Sequence, residues 1–345
     1  MVKLHEFTLP IEVVKRTAVS EAKSPAQLVF HIHPASIYRH HLLQAILLVQ
    51  FIRPQTTIAS STSVAGFGFW SGLDVKLEFH PAVANSGVVF VRTDLPGQPR
   101  IVANIANRIT GPRRTTLVSN ECAVEMVEHV LSALAGMHID NCEVHVNQAE
   151  MPGLDGSSIG FVLALQSAGK IELDATRQIT HVTETKRIGN DEAWIEIAPA
   201  ENQSFELEYR LDYPSHATIG KQHCGITLTK AGYCEQIAPA RTFVLDSEAE
   251  KLRASGLGAR VGYQDLLVFD QQGPIDNELR FDDECARHKV LDMIGDFSLI
   301  GTDIVGKFIA CKSGHHLNSQ VVLELLKQSA AVSAEPQPNK RRLSA

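Results

Sequence analysis

Two short patterns of apolar and polar positions each occur twice along the chain. Asp74–Ala82 (DVKLEFHPA) puts Val75, Leu77 and Phe79 on one side by strict alternation and stops at Pro81. Glu192–Ala200 (EAWIEIAPA) has the same form, acidic at its start and Pro-Ala at its end. A period of two closed by proline predicts a half-buried strand. The second pattern is His129–Gly136 (HVLSALAG), matched by His288–Gly295 (HKVLDMIG). Both predict helices with Leu, Val, Ile and Met on the buried face and a glycine near the C-terminal end. An apolar alternating segment follows each helix, at Cys142–Val146 and at Ile304–Ala310.

The economical explanation is a duplicated strand–helix–strand domain of the α+β class, not a doubly wound parallel sheet. Two such copies would pack face to face, with their helices sandwiched between the sheets and a site at the interface. The boundaries expected are an N-terminal extension over 1–53, a first domain over 54–175 and a second over 176–328. The second copy carries about 41 extra residues between its first strand and its helix. A short helix is predicted around 39–51, and the small, polar, Pro-bearing tail over 329–345 is expected to be disordered.

Composition adds mainly exclusions. With 44% hydrophobic and 21% charged residues, the chain reads as a globular protein. A net charge of −7 argues against coating nucleic acid, although one local basic pocket remains compatible with it. Leu42–Ile52 is interrupted by Gln44 and Gln50 and is shorter than the roughly 20 residues a membrane span needs. No signal-peptide pattern opens the chain, so a cytoplasmic location is expected, and the partner expected is a small molecule. Six scattered cysteines without a C-x-x-C pair predict reduced thiols rather than a zinc ribbon.

The chemistry concentrates on the two helices. His288 and Asp292, at i and i+4, point to the same face. If the halves are copies, His129 is the counterpart of His288. Two histidines and a carboxylate with a free coordination position suit a catalytic zinc, and also a non-haem Fe(II) centre. An exposed one-turn ion pair is the plainer alternative for His288 and Asp292. Glu128 sets a general base beside a ligand, as hydrolysis requires. Asp296 extends the same face by a turn and could hold an imidazole in one tautomer. Lys312-Ser313-Gly314-His315-His316 follows the last strand as a loop able to reach into a site.

Taken together, the motifs resemble a known family. Val127-Glu128-His129 through Gly136, Ile139-Asp140-Asn141 and Met151-Pro-Gly-Leu-Asp155-Gly-Ser157 are similar to the first half of bacterial UDP-3-O-acyl-N-acetylglucosamine deacetylase. Ala240-Arg-Thr242-Phe243, Leu279-Arg-Phe281, Arg287-His288 through Asp296, and Lys312 to His315 with Asn318 are similar to its second half. The resemblance runs collinearly over about residues 54–328. It implies hydrolysis of the N-acetyl group of UDP-3-O-(3-hydroxyacyl)-N-acetylglucosamine, the committed step of lipid A synthesis. By the same resemblance His129, His288 and Asp292 are zinc ligands, with Fe2+ a substitute, and Glu128 is the general base. His315, partnered by Asp296, stabilises the tetrahedral intermediate or protonates the leaving amine. Thr242 helps bind the oxyanion, and Lys289 and Lys312 meet the UDP phosphates. The extra residues of the second copy include an acyl-chain insert at about 242–269, which Phe243 begins and which sheathes the acyl chain. A monomer is expected.

Two positions depart from the family pattern. Trp70 stands where the opening Gly-x-Gly-x-His turn has its histidine, and Met126 stands where a threonine commonly precedes Val-Glu-His. A catalytically silent paralogue that binds UDP-sugar or acyl ligands is the alternative of a different class. The presence of every catalytic position counts against it.

Overall fold

The structure, a computed structural model, describes residues 53–214 and 218–334. The first half runs β1 (Pro54–Ile58), β2 (Thr62–Phe67), β3 (Asp74–Pro81), β4 (Val88–Arg92) and β5 (Arg100–Val102). A small sheet of β6 (Arg108–Ile109), β7 (Thr116–Ser119) and β8 (Cys122–Glu125) follows, then α1 (Glu128–Gly136), β9 (Cys142–Val146) and α2 (Ile159–Ala168). The second half holds β10 (Lys170–Thr176), β11 (Ile179–His181), β12 (Lys186–Gly189), β13 (Trp194–Ala198), β14 (Phe205–Tyr213) and β15 (Gly220–Thr227). It continues with β16 (Phe243–Leu245), α3 (Asp246–Ala254), β17 (Leu267–Phe269), α4 (Glu284–Phe297), β18 (Asp303–Cys311) and α5 (His315–Ala334).

The two main sheets have one topology. The first is ordered β2-β3-β9-β4-β5 and the second follows the path β12-β13-β18-β14-β15. In each, the strand after the helix is inserted at the centre. β9 is antiparallel to β3 and parallel to β4, as β18 is antiparallel to β13 and parallel to β14. The two repeated strand patterns are thus β3 and β13, in equivalent places. Each turns its apolar side inward, with Val75, Leu77 and Phe79 buried on one and Ile195 and Ile197 on the other.

Helices α1 and α4 fill the space between the sheets. Eight of the nine residues of α1 and twelve of the fourteen of α4 are buried. A helix buried on nearly all sides must be covered on both faces, so its polar residues need partners within the protein. The two helices approach at backbone distance. A Cβ on Gly295 would lie 2.1 Å from the Glu128 carbonyl oxygen, so only glycine fits there. Aromatic pairs complete the packing, with Phe297 and Phe308 rings 5.1 Å apart and Phe79 and Phe161 6.4 Å apart. Each such pair adds about 0.5–1.5 kcal/mol beyond its buried area.

Ion clusters tie the halves together. β1 and β10 pair antiparallel with Pro54 opposite Thr176, which brings Arg53 beside Arg177. Arg53 donates to Asp140 at 2.7 and 2.8 Å and to Asp303 at 2.7 Å through two nitrogens. Arg177 Nε lies 3.1 Å from both carboxylates. Arg53, assigned from the sequence to the extension, therefore takes part in the core. Arg241 on Glu284, 2.8 Å apart and both buried, anchors the start of the insert to α4.

At the C-terminal end, the tail expected to lose structure from about Ser329 instead continues α5 through Ala334. The predicted helix around 39–51 lies outside the described residues. All six cysteines are free thiols. Among the described residues no helix is long and apolar enough to cross a membrane.

Candidate active site

The start of α1 and the middle of α4 meet where the helices touch. His129 Nε2 lies 3.6 Å from Asp292 Oδ1 and His288 Nε2 3.3 Å from the same oxygen. The two imidazoles are edge to face, 5.0 Å between centroids. One donor atom from each of the three residues falls within 4.8 Å of the others, and all three side chains are buried. The nitrogen Nδ1 of His288 sits 3.1 Å from the Ala240 carbonyl, which can only accept. That fixes the proton on Nδ1 and leaves the Nε2 lone pair aimed at the cluster, the arrangement seen around metal-bound histidines.

Burial and charge tune this cluster. Burial pushes His288 down to about 3, against the pull of Asp292, so it is a neutral donor at pH 7. Burial works against the Asp292 carboxylate too, yet Lys289 and His288 together hold it well below the usual range. Lys289 Nζ donates to Asp292 Oδ2 at 2.9 Å, leaving Oδ1 toward the histidines. Two imidazole nitrogens and one carboxylate oxygen, buried and preassembled, form a donor set that fits a divalent zinc or iron ion.

A second constellation lies beside it. Glu128 Oε2 accepts the Thr115 backbone N–H at 3.0 Å, and Oε1 lies 3.7 Å from His315 Nε2. Burial raises the Glu128 pKa, opposed by His315 and His129. His315 Nδ1 lies 2.8 Å from Asp296 Oδ2, which also accepts the Asn318 amide at 2.8 Å. Asp296 Oδ1 accepts the Thr115 hydroxyl at 2.5 Å. Burial alone would lower His315, but Asp296 and then Glu128 outweigh it and push it up to about 9. The result is a carboxyl group and a cationic imidazole side by side, the pair of groups that general-base and general-acid steps use.

Both constellations open on one cavity of about 560 Å³, bordered by Glu128, His129, His288, Asp292 and His315. Thr242, Phe243 and Lys289 line it too. The Thr242 N–H donates to the Gly156 carbonyl at 2.8 Å. Gly156 is at φ +81°, and a Cβ there would meet the Asp265 carbonyl at 2.9 Å. The insert supplies an apolar wall through Val244, Ala249, Leu252, Leu257, Leu266 and Val268. Lys289 is committed to Asp292 and lies 5.6 Å from the Phe243 ring centroid. Lys312 is not among the lining residues; its Nζ is 3.6 Å from Asp212 Oδ2.

Sequence reasoning missed Thr115, which holds Glu128 and Asp296 at once. Nothing in its surroundings marks it, because its role depends on two helices folding onto it. The Ala240 carbonyl, which sets the His288 tautomer, is equally silent in a sequence. Arg280, quoted above in the Leu-Arg-Phe run, proves to be a strut: it joins Asp155 at 2.8 Å and the Pro239 carbonyl at 2.8 Å, locking the two motifs that frame Thr242.

An α+β sandwich with a buried His-His-Asp set beside a carboxylate and a cationic histidine has the build of a metal-assisted hydrolase. Residues 55–327 match the model of the UDP-3-O-acyl N-acetylglycosamine deacetylase (LpxC) family, and the chain belongs to that family. Among its relatives is the UDP-3-O-acyl-N-acetylglucosamine deacetylase of Psychrobacter cryohalolentis, 38% identical over 275 residues, covering 79% of this chain and 85% of that protein. Those of Nautilia profundicola and Thermosynechococcus vestitus, with the same description, are 35% and 36% identical and are covered over 93% and 94% of their length.

Proposed function

We propose that the protein is a zinc-dependent amide hydrolase that removes the N-acetyl group of UDP-3-O-(3-hydroxyacyl)-N-acetylglucosamine, giving acetate and a free amine. It acts as a cytoplasmic monomer at the committed step of lipid A assembly, with the halves meeting near residue 175. The observation that carries this reading is the pairing of the buried His129–His288–Asp292 set with Glu128 and a cationic His315 on one cavity.

His129, His288 and Asp292 would hold the zinc, which when bound supplies Lewis acidity and lowers the pKa of water to about 7. Glu128, anchored by the Thr115 N–H, takes the proton from the attacking water through its free oxygen Oε1. His315 faces that oxygen at 3.7 Å and, kept cationic by Asp296, delivers a proton to the departing nitrogen. A cation there also favours the negative charge that develops on the amide oxygen, and the Thr242 hydroxyl adds a donor on the order of 3 kcal/mol. Lys289 holds Asp292 anionic and oriented while its stem borders the cavity. Lys289 and Lys312 answer the UDP diphosphate, and the apolar wall from 243 to 268 sheathes the acyl chain.

Zinc-loaded protein should release acetate from the acylated UDP-sugar, lose the activity on chelation and regain it with Zn2+. Stoichiometric zinc without acetate release would overturn the proposal.

A further inference from the structure

One wall of the cavity is used by none of these steps. Trp70 borders it along with Glu128 and His129, and its position is fixed from several sides. Its backbone N–H donates to Glu150 Oε1 at 2.8 Å, and the Ser71 N–H donates to Oε2 at 2.8 Å. Glu150 is buried. The neighbouring Phe69 ring lies on Gly153, where a Cβ would come within 2.1 Å of it. The Arg114 guanidinium lies 4.8 Å from the indole centroid and is itself held by Glu125 at 2.8 Å. Arg114 adjoins Thr115, whose N–H holds Glu128. The indole is thus braced on the segment that positions the general base.

We propose that Trp70 is a stacking residue for the pyranose ring of the hexosamine, the ring that carries the scissile amide. Arg114 and Glu125 are positioning residues that set the angle of the indole. The inference rests on the deacetylase reading above. An indole offers a broad, stiff face with negative potential at low entropic cost, and the C–H bonds on one side of a pyranose present the complementary positive edge. A cation over the ring fixes its orientation. Closeness to Glu128 favours the sugar that bears the reacting group over the uracil at the far end of the diphosphate.

The chain has two tryptophans, and the other, Trp194, lies on β13 with Arg187 3.9 Å from its ring centroid and does not line the cavity. In the zinc-loaded Trp194→Phe variant, Trp70 is the sole indole reporter. We expect UDP-N-acetylglucosamine to change its emission saturably, with UDP and 3-hydroxytetradecanoic acid, each added alone, leaving it unchanged. With the acylated substrate, Trp70→Ala should raise KM about tenfold with kcat within about threefold, and Trp70→Phe should restore most of the loss. Arg114→Met should give a smaller rise in KM. An equal response to UDP alone would place the uracil on the ring, and a response to the fatty acid would make it acyl wall; either overturns the proposal. A silent indole, or an unchanged KM in Trp70→Ala while the wild type turns over, also overturns it. Failure of the wild type to release acetate would sink the deacetylase reading instead.

Discussion

Replacing Asp296 with asparagine isolates the charge that keeps His315 cationic. Asp296 is 1% exposed and bonds His315, Asn318 and Thr115, so Asn keeps most of the shape and removes the anion. In the metal-free protein burial opposes the His315 cation, and Asp296 and Glu128 still bring it to about 9 from an ordinary 6.5. That rise is worth ~3 kcal/mol in favour of the cation. Without Asp296 the larger attraction is gone while burial remains, so His315 should titrate at or below ~6.5. At pH 7.5 its cationic fraction then falls from nearly all to ~10% or less. Nitrogen-15 NMR of the metal-free protein reads this titration directly. In the zinc-loaded enzyme the basic limb of the kcat/KM profile should move to lower pH. Linkage adds a check with a definite sign. A folded pKa raised above the unfolded value gives stability that is full below ~6.5 and lost as pH rises through ~9. Metal-free wild type should therefore lose about 3 kcal/mol of unfolding free energy across that window, and Asp296→Asn should not. A variant whose His315 still titrates near 9, or whose basic limb stays in place, would refute the reasoning.

Glu128→Gln should reduce kcat about 10²- to 10⁴-fold while zinc content measured by elemental analysis stays near one per chain. Asp292→Ala should lose the zinc itself, since it removes the only anionic member of the donor set; full metal occupancy would contradict the ligand assignment. Gly295→Ala forces α4 off the Glu128 carbonyl and should cost about 1–3 kcal/mol or more, read as a lower denaturant midpoint with reduced turnover. Arg241→Ala strands the fully buried Glu284 carboxylate, so a loss of about 3–5 kcal/mol is expected in chemical denaturation, and a change below 1 kcal/mol would deny the pair its anchoring role.

Much of this arrangement was legible in the chain because it is periodic or repeated. β3 and β13 follow from alternation, and α1 and α4 follow from apolar spacing. The repeat of both, in one order, implied two copies whose helices bring His129 and His288 together. The motif resemblance then supplied Thr242 and the role of His315, which no periodicity would select. What stayed hidden depends on long-range closure. The β6–β8 sheet is made of strands of two to four residues, too short to show a period. Arg53 looks like the end of a featureless segment until β1 pairs with β10 and sets it between Asp140 and Asp303. Thr115 matters only because Glu128 and Asp296, from different helices, converge on it. The helix through Ala334 was masked by a composition of small residues that suit either a tail or a helix. The bond of Lys289 to Asp292, three residues along the same helix, was also not foreseen, although residues at that spacing share a face.

The central claim is that one metal-dependent active site is shared between two copies, with neither half sufficient. Zinc stoichiometry and acetate release, measured together on wild type, His129→Ala and His288→Ala, test it most directly. We expect near-stoichiometric zinc with acetate release in the wild type, and loss of both when the histidine of either half is removed. Full zinc content and normal turnover in either variant would show that one half holds the metal alone.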